Sequence, residues 1–326
     1  MSIAESKHGI SSEEISKVAI FVVYRPGAMP DSVRLTVSHL ADHGYAVCVV
    51  ANGGLSSEGK AALSRFAWAI IERPNFGRDF AAYQEGLQYL RSKVERPVEV
   101  LLINDSIIFP MKLRSQVLEK ISSSKYKVVS LFGASPEIKA GDVGKYGMLS
   151  FFIWHSSEVS VDPRFLSFWR QYKPSNFKHY TLRCGEQAYS KHLAASGFSC
   201  ASLCNPDAGV ARLNSASNSE LVKTLKYANF QDRTFYKEHA ALMEYDNLAD
   251  LRDEMVAFIS KVINRRPVAA SFPYLVIELM GIDCMKRGST PLQRNARDVI
   301  KCMVSERALT DIECHVGSEL CGEGCK

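Results

Sequence analysis

The chain has 326 residues, of which 46% are hydrophobic and 23% are charged. This composition is ordinary for a soluble globular protein, and it excludes the disordered and fibrous classes. The length suffices for one large α/β domain with a helical addition, or for two modest domains. The net charge of +5 suits anionic partners such as nucleotide phosphates or lipid head groups. It is too small to indicate DNA or RNA binding, so we predict no nucleic-acid partner.

The N-terminus and the cysteines both favour a cytoplasmic protein. Residues 1–16 are polar and lack the apolar core of a signal peptide, so we predict a flexible N-terminus. No window approaches the roughly 20 apolar residues that a membrane span needs. The nine cysteines are odd in number and mostly isolated, which suits a reducing compartment. We therefore predict a cytoplasmic protein and leave open a position at the inner face of the cytoplasmic membrane.

Three cysteines near the end of the chain allow two interpretations. Cys314, Cys321 and Cys325, together with His315, could hold a metal ion, but their spacing matches no common zinc pattern. The alternative, which we favour, is a frayed tail with thiols that bind nothing.

Apolar runs alternate with helical patterns in the first part of the chain. Short β-branched and aromatic runs predict buried strands over residues 18–24, 45–50, 68–72, 98–103, 128–132 and 148–154. Helices are predicted to start near Asp31, Ser57, Phe80, Leu113 and Cys184. Repeated strand–helix–strand units indicate a mostly parallel sheet flanked by helices.

The pattern changes toward the C-terminus. Residues 134–147 are rich in Gly, Ser and Lys, and we predict a mobile loop there. Strand patterns fade beyond about residue 211, and apolar stripes predict helices over 248–262 and 292–307. We therefore expect an α/β domain over residues 17–211 and a helical extension over 212–326.

The most polar loops of the α/β domain follow its predicted strands. In open parallel sheets, ligands bind beyond the carboxyl ends of the strands. That rule selects the loops at Tyr24-Arg25, Asn52-Gly53, Asn75 to Asp79 and Asn104 to Ser106. We predict that these loops converge on one binding site.

The loop from Asn75 to Asp79 precedes the clearest helix of the chain. Gly77 permits a tight turn, and Arg78 offers a forked donor for a phosphate or a carboxylate. Asp79 can cap its own helix or bind a sugar hydroxyl. A plain helix-start turn with a surface ion pair explains the same residues equally well.

Two carboxylates complete the set of candidates. Asp105 lies between Asn104 and Ser106 after an apolar strand, where it can contact a ribose or a divalent ion. Glu186 begins a predicted helix and has the chemistry of a general base. A polar turn and an ordinary first-turn glutamate are the competing interpretations. Without wider context, the ordinary interpretation of Glu186 is the better one.

Several stretches together resemble the rhamnan synthesis protein F family. The most specific are Arg73-Pro-Asn-Phe-Gly-Arg-Asp79 and Leu101-Leu-Ile-Asn-Asp-Ser106, with Pro110 close behind. Further matching stretches are Ser150-Phe-Phe-Ile-Trp154, Phe165-Leu-Ser-Phe-Trp169, Gly185-Glu186-Gln187, Leu193-Ala-Ala-Ser-Gly197 and Gly281-Ile-Asp-Cys-Met-Lys286. Members of this family are associated with rhamnose-containing polysaccharides and are taken as glycosyltransferases.

The same order is similar to the inverting GT-A group of glycosyltransferases. Tyr24-Arg25 matches that group's first nucleotide contact, and Asn52-Gly53 matches its Asn-Gly loop. Asn104-Asp105-Ser106 stands where the group has an Asp-x-Asp element. Gly185-Glu186 opens a stretch that matches its catalytic helix. The resemblance implies a GT-A-like, nucleotide-sugar-binding and catalytic α/β domain, and it makes Glu186 the expected general base.

The acidic element departs from the pattern of that group. It normally contains two acids, and here only Asp105 remains. Either Asp105 holds Mg²⁺ or Mn²⁺ together with the phosphates of the donor, or Arg78 and Arg25 neutralise the diphosphate. The resemblance therefore leaves metal dependence open.

The resemblance implies an inverting transferase, with rhamnosyl transfer as the expected reaction. The expected donor is a dTDP- or GDP-linked deoxyhexose, and the expected acceptor is a glycan or lipid-linked glycan of a bacterial polysaccharide. A non-catalytic nucleotide-sugar-binding subunit is an alternative, motivated by the incomplete acidic element. An epimerase-like enzyme is a weaker one, because the glycine fingerprint of dinucleotide binding is missing.

A group of cations near the C-terminus also allows two interpretations. They could contact a lipid-linked acceptor at the membrane face, or they form a solvated helix surface, which is the interpretation we favour. The group comprises Lys286, Arg287, Arg294, Arg297 and Lys301.

Overall fold

The structure is a computed structural model that describes residues 2–5, 11–25, 27–133, 147–288 and 290–321. The chain divides into two compact units. The first unit consists of Met1–Asp105 and Leu118–Leu203, and the second consists of Ser106–Val117 and Cys204–Lys326. Residues 134–146 of the predicted mobile loop lie outside the described residues. The predicted domain boundary after residue 211 stays a prediction.

Eight strands form the sheet that carries the first unit, in the order β1-β4-β3-β2-β5-β8-β7-β9. The strands of the chain are β1 (Ser2–Glu5), β2 (Lys17–Val23), β3 (Tyr45–Asn52), β4 (Ala67–Arg73), β5 (Glu99–Asn104), β6 (Ile107–Ile108), β7 (Val128–Phe132), β8 (Phe152–His155), β9 (Cys200–Cys204) and β10 (Met285–Lys286). Strands β6 and β10 form a separate antiparallel pair in the second unit.

The centre of the large sheet is parallel. Strand β2 pairs in parallel with β3 on one side and with β5 on the other, and β3 pairs in parallel with β4. Strand β8 runs antiparallel to β5 and β7, and β1 runs antiparallel to β4. The central strands are buried on both faces, which is why they are continuous apolar runs. The predicted mostly parallel α/β sheet flanked by helices is confirmed.

Helical segments connect the strands of this sheet up to residue 196. They are α1 (Asp31–Asp42), α2 (Ser57–Leu63), α3 (Arg78–Lys93), α4 (Val117–Ser122), α5 (Ser157–Val161), α6 (Pro163–Gln171), α7 (Lys178–Tyr180), a π-helical segment (Thr181–Gln187) and α8 (Ala188–Ala195). In α3, the residues predicted to face the core are buried, namely Phe80, Tyr83, Leu87 and Leu90. The apolar spacing therefore identified the buried face of this helix correctly.

The ends of some elements differ from the prediction. Ser2–Glu5 forms strand β1 within the segment predicted to be flexible, where Ser2 pairs with Glu72. Strand β9 was not predicted, because Cys200–Cys204 contains none of the β-branched or aromatic residues that favour strands. The helix expected near Leu113 begins only at Val117.

Helices dominate the second unit, as the sequence predicted for the C-terminal part. They are α9 (Pro206–Ser215), α10 (Asn218–Lys226), α11 (Arg233–Met243), a 3₁₀ turn (Leu248–Asp250), α12 (Arg252–Ile263), α13 (Val268–Ser271), a π-helical segment (Leu275–Leu279), α14 (Pro291–Ser305) and α15 (Cys314–Cys321). In the part of the chain that the structure describes, no helix combines the length and apolar character needed to cross a bilayer.

Candidate functional site

The carboxyl ends of β2 and β5 lie side by side at the centre of the sheet, where Val22 pairs with Asn104. From β2 the chain proceeds to β3 and β4 on one side, and β5 then adds to the other side of β2. The two strand ends therefore flank a topological switch point, the place where open α/β sheets bind ligands. The loops that leave these strands are the starting point for the site.

Asp105 contacts the loop that follows β2. Its Oδ2 accepts a hydrogen bond from the Tyr24 amide at 3.1 Å. The same oxygen lies 3.0 Å from Nε of Arg25, as an ion pair rather than an aligned hydrogen bond. The Arg25 Nη2 group donates to the Asp105 carbonyl at 3.0 Å. These contacts fix a cationic group at the switch point, next to the ends of both strands.

Asn52 lies at the end of β3 and holds the segment before α3. Its Oδ1 accepts a short hydrogen bond from Nη1 of Arg73, and its Nδ2 donates to the Arg78 carbonyl at 3.3 Å. Arg73 is nearly buried, and its Nε lies 2.8 Å from Oε1 of Glu85. A buried guanidinium needs such partners, because an unpaired charge is costly to bury. The Asn52 side chain therefore holds the segment before α3 in place, and its amide is not exposed to a ligand.

The turn before α3 depends on Gly77. Its φ is +74°, and a Cβ at this position would lie 2.5 Å from Ala81 Cβ and 2.6 Å from Pro174 Cβ. The Gly77 amide donates to Oδ1 of Asn176 at 2.8 Å. Arg78 also has a positive φ, of 57°, and its Nε donates to the Asn176 carbonyl at 3.1 Å. Asn176 thus holds a turn that is strained at Arg78, and the Arg78 side chain remains exposed.

The loops after β2, β3 and β4 meet at Gly53. A Cβ at this position would lie 3.6 Å from the Tyr24 ring and 3.9 Å from Asn75 Cβ. Both Tyr24 and Asn75 are exposed. The two residues therefore provide an accessible aromatic ring and an amide on either side of the glycine.

Asp79 connects the start of α3 to the end of β5. Its Oδ2 accepts a hydrogen bond from Nδ2 of Asn104 at 3.1 Å, and its Oδ1 accepts one from the Phe80 amide at 3.1 Å. Asn104 is nearly buried, whereas Asp79 is half-buried. The carboxylate is therefore held in a fixed orientation and remains in contact with solvent.

Glu186 lies near the end of the π-helical segment that precedes α8. Helical backbone begins at Lys178, so the prediction that Glu186 opens a helix is wrong, and the helix N-terminus cannot be what stabilises its carboxylate. The carboxylate has other partners. Its Oε2 accepts hydrogen bonds from the Ser150 amide at 2.9 Å and from the Ser150 hydroxyl at 2.6 Å. These two donors orient the side chain.

The π-helical segment packs directly on α3. A Cβ at Gly185 would lie 3.0 to 3.2 Å from ring atoms of Phe80, so only glycine allows this close approach without displacing the ring. Phe80 is the neighbour of Asp79, and Gly185 is the neighbour of Glu186. The packing therefore brings the segments that carry the two carboxylates together.

Tyr83 connects the helix that carries Asp79 to Ser150, the residue that also bonds to Glu186. It follows Asp79 by one helical turn, is buried, and donates its hydroxyl hydrogen to the Ser150 carbonyl at 3.0 Å. Burial raises the pKa of Tyr83 well above its ordinary value, and three carboxylates raise it further, namely Asp79, Asp105 and Glu186. The phenol is therefore neutral at physiological pH, where it serves as a hydrogen-bond donor to Ser150.

The observed site differs from the expected one in two ways. One predicted residue, Ser106, belongs to the second unit, and four residues of the site were not predicted. Ser106 begins the second unit, where its carbonyl accepts a hydrogen bond from the Arg287 amide at 2.7 Å. Arg73, Tyr83, Ser150 and Asn176 were not predicted as site residues. A charged residue at the end of an apolar strand was an available signal for Arg73, whereas nothing local marks Ser150 or Asn176.

The donor set at Asp105 fits a divalent cation poorly. Oδ2 of Asp105 already accepts from the Tyr24 amide and pairs with Arg25. Among the described residues, no group of three or more His, Cys, Asp or Glu side chains is arranged to hold a metal. Of the C-terminal cysteines, Cys314 begins α15, and Cys325 lies outside the described residues.

The second unit contains a cavity of about 300 Å³, whose lining includes Asn229, Asp232, Phe235 and Arg266. None of the predicted site residues lines it, so it does not correspond to the predicted donor site. Two of the five C-terminal cations, for which a solvated helix surface was the favoured interpretation, have acidic neighbours within this unit. Arg287 pairs with Glu319, and Lys301 Nζ lies 3.4 Å from Asp298 Oδ1.

Comparison with a protein family gives a match to most of the chain. Residues 47–275 match the family described as Rhamnan synthesis protein F. The matched span contains Asn52, Asp79, Asp105 and Glu186, whereas Tyr24 and Arg25 precede it. The resembling stretch over residues 281–286 follows it.

Comparisons with single proteins are less informative. A protein of Sinorhizobium fredii, called uncharacterized protein y4gN, is 28% identical over 205 residues, which are 63% of this chain and 52% of that protein. The chain therefore spans about half the length of this curated relative. The solved structure of 4-diphosphocytidyl-2C-methyl-D-erythritol synthase from Anaerococcus prevotii is 11% identical, with a TM-score of 0.31 over 52% of this chain and 82% of that one. A likeness at this level supports no conclusion about this chain.

Proposed function

Because the chain belongs to the rhamnan synthesis protein F family, we propose that it is a nucleotide-sugar-dependent glycosyltransferase of the GT-A type. Family membership supports a role in rhamnan synthesis, and glycosyl transfer is the step that we add. The observation that carries this step is a set of contacts: Asn104, the neighbour of Asp105, donates to Asp79, and Ser150 bonds to both Tyr83 and Glu186. Carboxylates at a switch point, with the half-buried Arg25 and the exposed Arg78 nearby, suit a reaction that moves a proton and releases a diphosphate.

The proposed donor is a dTDP- or GDP-linked deoxyhexose, with rhamnose as the sugar. The leaving diphosphate gains negative charge as its bond to the sugar breaks, and fixed cations lower the energy of that state. We assign this role to Arg25, which Asp105 holds in place, and to Arg78, which Asn176 holds at the start of α3. We propose that the reaction takes place in the cytoplasm.

Glu186 is the proposed general base. It takes the proton of an acceptor hydroxyl while the acceptor oxygen forms a bond to the anomeric carbon. The bond from that carbon to the diphosphate breaks, and the nucleoside diphosphate leaves with the electron pair. Attack opposite the leaving group inverts the configuration at the anomeric carbon. The acceptor that we propose is a glycan or a lipid-linked glycan of a surface polysaccharide.

The proposal assigns charge balance to arginines and routes no step through a metal. Mg²⁺ or Mn²⁺ at Asp105 would compete with Arg25 for the same carboxylate oxygen. Added divalent ion is therefore expected to change turnover by less than about tenfold, since the arginines already stabilise the leaving group.

Replacement of Glu186 by glutamine tests the assignment of the base. Glutamine keeps an acceptor for the Ser150 amide, so we expect donor binding and folding to be retained. Loss of the base should lower turnover by roughly 10² to 10⁴-fold. Release of nucleoside diphosphate measures this directly. Glu95→Gln is the matched control, because Glu95 is an exposed glutamate beyond the C-terminal end of α3. Near-normal turnover of Glu186→Gln would remove the assignment.

The ion pair at Asp105 also favours a second candidate, a non-catalytic nucleotide-sugar-binding subunit of a polysaccharide assembly complex. A carboxylate that is already neutralised by Arg25 can hold a loop without taking part in a reaction. Calorimetric titration with a panel of sugar nucleotides, followed by a turnover assay with the same compounds, separates the two candidates. Tight binding without release of nucleoside diphosphate over long incubation would support the binding subunit.

A further inference from the structure

One segment of the first unit carries a concentration of positive charge that the proposed reaction does not use. Residues 163–185 contain five Lys or Arg residues and no Asp or Glu. The net charge of the whole chain is also +5. The positive charge of this short segment therefore equals the net charge of the whole chain. Such a concentration of positive charge indicates an anionic partner.

Most of these cations are exposed and lack a carboxylate partner. Arg164 is the exception, because it pairs with Asp162 at 2.7 Å. The other four are exposed, and within the described part of the chain none of them lies at ion-pair distance from an acid; they are Arg170, Lys173, Lys178 and Arg183. Their charge is therefore available to a ligand.

Large apolar side chains are interleaved with the same cations. Phe177 is 79% exposed, Leu182 is 39% exposed and Tyr180 is 36% exposed. Single exposed apolar residues are normal on protein surfaces, but three within six residues make this segment unusually apolar for an exposed one. Aromatic rings mixed with Lys and Arg are typical of surfaces at the lipid–water boundary, because the rings enter the interface while the cations reach the phosphates. The chemistry favours a phospholipid surface over a soluble anion.

The segment that carries these side chains is firmly attached to the turn before α3. Asn176 accepts a hydrogen bond from the Gly77 amide and another from Nε of Arg78. On the opposite side of the same helical run, Thr181 is buried and Gly185 packs on Phe80. The exposed side chains therefore project from a fixed backbone, and few degrees of freedom would be lost when they bind.

We propose that residues 170–183 dock on an anionic phospholipid surface. Phe177, Tyr180 and Leu182 enter the interface, and the four cations contact lipid phosphates. The inference stands independently of glycosyl transfer. It places a membrane contact beside the site and not at the C-terminal cations, of which Arg287 and Lys301 have acidic neighbours.

Vesicle flotation of the full chain tests the proposal. The probes are phosphatidylcholine vesicles with and without phosphatidylglycerol, at low and at physiological salt. We expect binding only to the anionic vesicles, with weaker binding at higher salt. The triple variant Lys173→Gln, Lys178→Gln, Arg183→Gln should bind roughly 100-fold more weakly, at about fivefold for each cation removed. Phe177→Ala should bind about tenfold more weakly, because an apolar ring no longer enters the interface.

Two matched controls keep the test specific. Arg65→Gln, Lys125→Gln, Lys191→Gln removes three exposed cations elsewhere in the first unit, and Tyr236→Ala removes an exposed ring of the second unit. Both controls should bind like the wild type. Equal binding of the two triple variants would overturn the proposal, as would equal binding to neutral vesicles. An unaffected Phe177→Ala variant together with competition by millimolar inorganic phosphate would instead indicate a site for soluble anions, and this also overturns the membrane assignment.

Discussion

Two carboxylates of the first unit and one of the second are held in different ways. In the first unit, Asp105 is partly exposed and pairs with a guanidinium, and Glu186 is half-buried and accepts two hydrogen bonds from one serine. In the second unit, Asp283 is only 1% exposed. It accepts hydrogen bonds from the amides of Met111 and Lys112 and from the Ser115 hydroxyl.

The difference shows why burial alone is a poor guide to function. Asp283 is the most enclosed of these three acids, yet its hydrogen-bond donors are neutral groups of Met111, Lys112 and Ser115. The carboxylate therefore connects these residues to residue 283. Such a contact organises a fold. Asp105 and Glu186 remain accessible to solvent, which a group that contacts a ligand requires. Asp105 also lies beside a cation, as is common at functional sites. The comparison predicts that the first kind of carboxylate matters for turnover and the second for stability.

After Glu186→Gln, the largest expected effect is that of Asp105→Asn on turnover. Asparagine keeps the shape of the side chain but leaves Arg25 without its counter-charge, so the cation is no longer held for the diphosphate. We expect kcat/KM for the donor to fall by about 10² to 10³-fold, which is about 3 to 4 kcal/mol. Because the pair is partly exposed, the melting temperature should change by less than about 4 °C. A large drop in melting temperature with retained activity would place Asp105 in the structural class.

Asp283→Ala should act on stability instead. Removing the carboxylate leaves the Lys112 amide and the Ser115 hydroxyl without their acceptor, whereas the Met111 amide keeps the Asp283 carbonyl. The expected cost is about 1 to 3 kcal/mol in the free energy of unfolding of the second unit. Hydrogen exchange of peptides that span residues 106–117 reports on this unit, whereas all three tryptophans, Trp68, Trp154 and Trp169, belong to the first. Unchanged exchange in these peptides would contradict the structural role.

The same comparison shows what the sequence could and could not predict. Strands β2 to β5 and helix α3 were predictable, because long apolar runs and a helical stripe are local signals. Their polar ends then identified Asp79 and Asp105 by position alone. The contacts that make a site out of these ends are not local. Ser150 and Glu186 are 36 positions apart, and no periodic pattern connects a serine to a distant glutamate.

The errors have physical causes of the same kind. Glu186 was placed at a helix start because Gly185 resembles a break, whereas the glycine is there to let the helical segment approach Phe80. Asp283 was noticed only within a stretch that resembles the family. Its burial depends on residues 106–117, which are far away in the chain. Burial of a single polar residue therefore has no local signature.

Ser150→Ala tests how far the orientation of Glu186 matters. The variant removes the 2.6 Å hydrogen bond from the hydroxyl and keeps the one from the amide. We expect kcat to fall about tenfold, or about 1.4 kcal/mol, with KM for the donor unchanged, because a positioning residue acts on the chemical step. Ser150→Thr retains a hydroxyl and should recover part of the lost kcat. An equal loss in both variants would indicate a packing defect.

The smallest predicted effect concerns the pH dependence of stability at Asp283. Burial raises the pKa of this carboxyl group, although hydrogen bonds, chiefly from the Lys112 amide, oppose the shift. A raised pKa means that the folded chain binds the proton more tightly than the unfolded chain. The resulting contribution to stability is complete below the ordinary pKa of about 4 and is lost as the pH rises through the folded value.

Asp283→Asn cannot titrate at this position, and its amide can still accept from the backbone and donate to Ser115. Relative to this variant, the wild type should therefore lose stability as the pH rises from about 4, and the difference should level off above the folded pKa. Urea unfolding, followed by hydrogen exchange of residues 106–117 at several pH values, measures the difference. Parallel curves for the two proteins would show that Asp283 is ionised as readily in the fold as outside it. A wild type that gains stability relative to the variant would show that the hydrogen bonds outweigh burial, so that even the enclosed carboxylate of the second unit is held as an anion.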